Sequence, residues 1–187
     1  MLATGPLVGA KIFDLLVLVG AWSADPPRSL RLLPYGDNWP VDTGEFFIPG
    51  SAATLLASLG ALIAGWTTPW RYRAQLVAPA LIILLTLAIT VTVFWPLNSA
   101  LWHASIHSPG AEQDPAKIIA MVREWVRLDW VRIALAAIAF IVSVNTLSQP
   151  YPATRASPDS PPVRAAVFAG VGGIIAFVAY FLIRGLA

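Results

Sequence analysis

The residues best suited to chemistry in this chain lie in and around two apolar segments, between residues 94 and 132. Asn98 closely follows the first segment, and Arg132 lies one turn into the second. A guanidinium in an apolar helix needs a carboxylate, carbonyl groups or a ligand as its partner, and Asp129 lies on the same helical face three residues earlier. An arginine and an asparagine that face one pocket can bind an oxyanion and stabilise charge that develops during a reaction. The alternative is an Arg–Asp–Asn network that only ties two helices together.

Aromatic and imidazole side chains surround these polar residues. His103 and His107 are spaced i, i+4, so on one helix they can share a metal ion, and either can ligate haem. No HExxH pattern accompanies them. We therefore predict no metal site and no cofactor, with haem as the alternative. Four tryptophans are candidates for binding an aromatic substrate: Trp95, Trp102, Trp125 and Trp130.

The composition is that of an integral membrane protein. Only 12% of the 187 residues are charged and 57% are hydrophobic, whereas soluble domains carry about 25% charged residues. The mean hydropathy is +0.71. A net charge of +2 without a basic cluster argues against a nucleic-acid partner. The absence of cysteine excludes thiolate nucleophiles and cysteine-ligated clusters.

The hydropathy pattern predicts an all-α, polytopic membrane helix bundle that forms a single domain over residues 1–187. Asp114 followed by Pro115 signals a helix start, because the pair supplies a capping residue and then a proline in the first turn. Residues 115–130 form an amphipathic pattern, which predicts a helix at the membrane interface that can continue into the next span. Five spans are predicted, at about residues 5–22, 46–66, 76–95, 131–148 and 165–183.

Two further expectations concern the ends of these spans. Pro96 is expected to end the regular third helix, because proline lacks the backbone donor that a helix needs. Lys11 and Asp14 lie on one face of the first span, where an ionisable pair suggests a function. The simpler interpretation, which we adopt at this point, is that Lys11 extends to the lipid headgroups and Asp14 only partners it.

The connections between spans indicate an orientation. The short connections carry Arg71, Arg73, Arg155 and Arg164, so the positive-inside rule favours a cytoplasmic N-terminus and an outward-facing polar site. The predicted location is the inner membrane of a bacterium, with membrane lipid and a lipophilic small molecule as partners.

Two short motifs resemble those of a known family. FWPLN at the end of one span and EWVRLDWVRIALA at the start of another resemble the small anthrone-oxygenase-like membrane proteins of bacteria and fungi. The resemblance covers about residues 46–148, and members of that family are usually four-helix proteins. Asp129 replaces an asparagine that is usual there, and Leu128 stands where a second tryptophan is common. The family's Pro-x-Asn and Trp-x-x-x-Asn-x-x-Arg motifs correspond here to Pro96, Asn98, Trp125, Asp129 and Arg132.

The resemblance implies a cofactor-independent oxygenase that oxidises a lipophilic aromatic substrate through a stabilised enolate. Asp129 or a histidine would be the base, and Arg132 with Asn98 would bind the oxyanion. Two other functions stay open. A non-catalytic subunit of a larger membrane complex, or a homo-oligomer, fits the stripes of small residues on two helices. A haem-binding membrane protein would use His103 or His107.

Overall fold

The computed structural model describes residues 4–35, 42–105, 114–150 and 152. In this part of the chain all regular structure is helical, and four helices are long and apolar enough to cross a membrane: α1 (Thr4–Trp22), α2 (Thr43–Ala64), α3 (Trp70–Ser105) and α4 (Pro115–Ser148). A short 3-10 helix, Arg28–Leu32, lies between α1 and α2. The predicted all-α membrane helix bundle is confirmed. The predicted span at 165–183 lies outside the described residues.

The four helices form a closed ring in which each helix packs against two neighbours, in the order α1, α4, α3, α2. Asn98 near the end of α3 contacts Trp125 in the first third of α4, whereas Gln75 near the start of α3 contacts Thr146 near the end of α4. Helices α3 and α4 are therefore antiparallel. Among the four helix–helix interfaces of this ring, which we call seams, the one between α1 and α2 is the least extensive.

The long helix α4 joins the predicted interfacial segment to the predicted span without a break. It begins as its sequence predicts, because the Asp114 side chain accepts a hydrogen bond of 2.9 Å from the Ala116 amide. In its first half, Ile118 and Val122 are buried while Arg123 is exposed. One face of this half thus packs on the bundle and the other is polar.

The expectation that Pro96 ends the third helix was wrong. Helix α3 continues through Pro96 to Ser105, and a π-helical segment, Thr90–Phe94, immediately precedes the proline. Proline leaves the carbonyl four residues earlier without its usual donor and crowds it sterically. A wider π turn relieves that conflict, because its hydrogen bonds run to i+5. Helix α1 contains a second π-helical segment, Asp14–Val19.

The connection after α1 is ordered by apolar packing at one end of the bundle. Leu30 and Leu33 are fully buried, whereas Leu32 is exposed. They join a core that centres on Trp125, whose indole makes edge-on ring contacts with Trp22 at 5.0 Å and Phe94 at 5.2 Å. Edge-to-face aromatic pairs each add about 0.5–1.5 kcal/mol beyond area burial.

The other end of the α3–α4 pair is held by neutral hydrogen bonds and close packing. The Gln75 side-chain oxygen accepts hydrogen bonds from Thr146 at 3.2 Å and from Gln149 at 3.0 Å. Gly65, just after α2, lets that helix approach α3 closely, because a Cβ there would lie 2.1 Å from the Leu76 Cδ1 atom. A larger residue at this position would force the Leu76 side chain to move, and small residues are common where membrane helices pack closely.

Candidate functional site

A cavity of about 110 Å³ lies inside the ring of helices, and all four helices contribute to its lining. Much of its wall is apolar, with Leu7, Phe47 and Ile83 among the lining residues. Its titratable lining residues, within the described part of the chain, are Lys11, Asp14, Tyr35 and Arg132.

Arg132 is held in position by contacts with its own helix, α4, and with α3. Its Nε donates a hydrogen bond of 2.8 Å to the Asp129 Oδ1 atom, and its Nη2 donates to the same oxygen. Its Nη1 donates to the Thr90 hydroxyl on α3 at 3.3 Å. The guanidinium carbon lies 3.3 Å from the centre of the Phe94 ring, a cation–π contact. These contacts use three of the five guanidinium hydrogens, so donors remain for a ligand.

Asp129 lies behind the cavity wall. Its side chain is fully buried, and it does not line the cavity. Its Oδ1 atom takes every polar contact, while Oδ2 has no hydrogen-bond partner among the described residues. The sequence predicted Asp129 as a candidate base. The structure shows that Asp129 pairs with Arg132 and anchors its guanidinium.

Lys11 does not extend to the lipid headgroups, so that interpretation was wrong. The residue is 8% exposed and lines the cavity. Its Nζ lies 3.9 Å from the Asp129 Oδ1 atom on α4 and 4.2 Å from the centre of the Phe47 ring on α2. The ammonium therefore points into the bundle, where an anion and an aromatic face replace water.

Asp14 completes a compact group of four buried ionisable side chains, which we call the charge cluster: Lys11, Asp14, Asp129 and Arg132. Asp14 is 7% exposed, lines the cavity and lies within electrostatic range of the other three. Two cations and two carboxylates make the cluster neutral when all four are ionised. Neutrality lowers the free-energy cost of holding these charges away from water. The desolvation penalty is nevertheless on the order of several kcal/mol for each ion.

Asn98 presents hydrogen-bond donors to the cavity. The Trp125 indole N–H donates to the Asn98 Oδ1 atom at 2.6 Å. Because indole can only donate, this contact fixes which end of the amide is the oxygen. The Asn98 NH₂ group is left with its two donors, and Asn98 lines the cavity beside Arg132 and Trp125.

Tyr35 is the remaining titratable group at the cavity, and it lies in the connection after α1. Burial raises the pKa of its phenol above the usual value. The phenol therefore stays protonated at physiological pH and is a weak acid.

The predicted aromatic and histidine candidates are distributed unevenly. Trp95 and Trp125 line the cavity. Trp102 is half-buried and packs on the core, and Trp130 is 54% exposed on the outside of α4. His103 is exposed on α3 and does not line the cavity, while His107 lies outside the described residues. Within the described part of the chain, no three metal-ligating side chains come together.

The period of the α-helix predicts which of these α4 side chains share the face that meets the cavity. At about 100° per residue, Asp129 and Arg132 fall within roughly 40° of Trp125 around α4, whereas Trp130 falls about 140° away. Lys11 and Asp14 also share a face, but the sequence does not say which helix that face meets. Their place at the cavity depends on contacts across more than a hundred residues of chain.

These observations define an integral membrane helix bundle with a buried, charged site at its centre. The model of one family, anthrone oxygenase, matches residues 39–142. That match covers more than half of the chain, so the protein belongs to the anthrone oxygenase family. It includes α2, α3 and most of α4, whereas Lys11 and Asp14 lie outside the matched residues. No curated protein and no solved structure matches the chain.

Proposed function

We propose that the protein is a membrane-embedded oxygenase that converts an anthrone-like aromatic ketone into a quinone with O₂ as the oxidant. Family membership supports this class of reaction. The observation that carries the proposal is the cavity itself, where Asp14, Arg132 and the Asn98 amide meet between apolar walls. A charge cluster in a membrane bundle is costly, and a function explains its presence better than packing does.

The first step is removal of a proton from the substrate. Asp14 takes a proton from the CH₂ group opposite the ketone, and the electron pair of that bond moves to the carbonyl oxygen, giving an enolate. Arg132 and Asn98 donate hydrogen bonds to the enolate oxygen and stabilise the developing charge. The net charge of the site stays constant, because the enolate replaces the carboxylate that has become neutral.

The second step is the reaction of the enolate with O₂. Two electrons from the enolate reduce O₂ to the peroxide level, and a carbon–oxygen bond forms at the former CH₂ carbon. The overall conversion is CH₂ plus O₂ to C=O plus H₂O. The electron-rich enolate is itself the reductant in this sequence.

The size and surroundings of the cavity favour a flat substrate that enters from the bilayer. A cavity of about 150 Å³ holds one benzene molecule, so a volume of about 110 Å³ accommodates roughly one ring. The other rings of a tricyclic substrate would extend through the seam between α1 and α2. Ile48 on α2 both lines the cavity and is 54% exposed, so it provides an apolar path to the lipid.

The test is an oxidation assay on the purified protein in lipid nanodiscs with anthrone as substrate. O₂ uptake and quinone absorbance are followed together, and a protein-free sample measures spontaneous oxidation. We expect one O₂ consumed per quinone at a rate well above that background.

The matched variants are Asp14→Asn and Asp25→Asn. Asp25 is an exposed aspartate in the connection after α1. We expect the first change to remove most of the activity and the second to preserve it. If the unmodified protein and the protein-free sample oxidise anthrone and its hydroxylated analogues at equal rates, the proposal is wrong.

A further inference from the structure

We propose that Lys11 is a second proton-transfer residue of the site, which protonates the peroxide and then removes the second proton from the substrate carbon. This inference rests on the proposed oxygenase function. It assigns a catalytic role to a residue outside the part of the chain that the family model matches.

The reaction contains two proton removals, because both hydrogens leave the same carbon and both end in one water molecule. When the peroxide forms, Asp14 already holds the first proton. Asp14 can give that proton to the peroxide and then act a second time, or it can keep the proton until the hydroxide departs. In the second route, which we propose, another group protonates the peroxide and then takes the second hydrogen.

Elimination among the cavity-lining groups points to Lys11. Of the four titratable residues that line the cavity in the described part of the chain, Asp14 holds the first proton in the proposed route. Arg132 keeps its proton in proteins, so it stabilises charge without transferring a proton. Burial raises the pKa of Tyr35, which makes its phenol a poor acid.

The geometry of Lys11 suits proton transfer. Its ammonium makes no hydrogen bond with any described residue, although it is 8% exposed and lines the cavity. At 3.9 Å, its ion pair with Asp129 is longer than a hydrogen bond. The Phe47 ring face, 4.2 Å away, attracts the cation but accepts no proton. No acceptor among the described residues engages the N–H groups, which can therefore donate to a molecule in the cavity.

The charged groups that face Lys11 come from two helices. Asp14 lies three residues away on α1, and Asp129 and Arg132 face it from α4. Lys11 is thus the second cation of a cluster that also holds two carboxylates.

The remaining steps balance. The Lys11 ammonium gives a proton to the terminal peroxide oxygen, which forms a hydroperoxide and a neutral amine. That amine removes the second C–H proton, the electron pair of that bond forms the C=O group, and the O–O bond breaks. The departing hydroxide takes the proton held by Asp14 and leaves as water. Both side chains return to their starting states.

The decisive variant is Lys11→Arg, with Lys117→Arg as its control. Arginine keeps the positive charge but does not release a proton. Lys117 is exposed on α4, so its replacement reproduces the chemical change away from the cavity. O₂ uptake, quinone absorbance and acid-quenched hydroperoxide are measured in the same reaction. A parallel Lys11→Met variant removes both the charge and the proton.

In Lys11→Arg we expect O₂ uptake to continue while quinone formation slows by about a hundredfold or more, with hydroperoxide accumulating. Lys117→Arg should match the unmodified protein. Quinone formation at an unchanged rate in Lys11→Arg would show that only the charge matters and would overturn the assignment alone. If the unmodified protein consumes no O₂, the proposed function fails and the Lys11 role falls with it. A Lys11→Met variant that does not fold leaves the Lys11→Arg comparison intact.

Discussion

Two levels of the α3–α4 pair join the helices with different chemistry. At one end, Gln75, Thr146 and Gln149 join the helices through neutral hydrogen bonds. Near the middle, the helices are joined through Arg132, which donates to Thr90 and also belongs to the charge cluster. Neutral groups suffice to hold membrane helices together at a modest gain per hydrogen bond. The four charges are therefore more than packing requires, and three of them, Lys11, Asp14 and Arg132, line the cavity.

The largest effect should come from breaking the ion pair in the charge cluster. Arg132→Met leaves the Asp129 carboxylate fully buried without its principal partner. Loss of one partner of a buried pair costs about 3–5 kcal/mol, so we expect a large fall in thermal stability in detergent and no turnover. Arg127→Met is the control, because Arg127 makes an exposed pair with Glu124. Equal melting temperatures for the two variants would contradict the structural role of the cluster.

The next effect should appear mainly in turnover. Asp14→Asn keeps the shape of the side chain but removes the proposed base. General-base catalysis contributes about 10²–10⁴-fold, so kcat should fall by that order. The melting temperature should fall by less than in Arg132→Met, because Asp129 and Arg132 keep their direct pair. The measurement is kcat with anthrone together with thermal unfolding. Retained turnover would exclude Asp14 as the base.

The hydrogen bonds around Gln75 should matter for stability and not for turnover. Gln75→Leu removes the acceptor shared by Thr146 and Gln149. We expect a loss of about 1 kcal/mol, because the Thr146 hydroxyl keeps its hydrogen bond of 2.7 Å to the Val142 carbonyl and only the contacts to Gln75 are lost. Turnover per folded molecule should not change. A loss of turnover in a fully folded Gln75→Leu protein would mean that the hydrogen bonds around Gln75 are coupled to the charge cluster.

The smallest effect should come from Trp125→Phe. The change keeps a ring in contact with Trp22 and Phe94 but removes the N–H donor to Asn98. A hydrogen bond of this kind contributes about 0.5–1.5 kcal/mol, so kcat/KM should fall by roughly tenfold or less. A loss as large as that in Asp14→Asn would instead mean that the indole contacts the reacting atoms.

The sequence predicted the elements of the fold well because long apolar runs and capping signals are local. The Asp114–Pro115 start is one example, and the shared face of Trp125, Asp129 and Arg132 follows from the helical period alone.

The errors arose where local rules compete with tertiary contacts. Pro96 does not end α3, because the π-helical segment before it accommodates the ring. Lys11 was expected at the lipid headgroups, but an aromatic face on α2 and a carboxylate on α4 hold it inside. Neither partner is near Lys11 in sequence, so no window around it could reveal the contact.

The π-helical segment at Thr90–Phe94 also sets the rotational phase of everything that follows it in α3. A π turn holds about one residue more than an α turn, and one residue corresponds to a rotation of roughly 100°. A one-residue deletion between Thr90 and Phe94 would remove the wide turn, restore the conflict between Pro96 and the preceding turn, and rotate Asn98 away from Trp125. The loss of a single codon could thus change the orientation of Asn98 relative to Trp125, without any substitution at either residue.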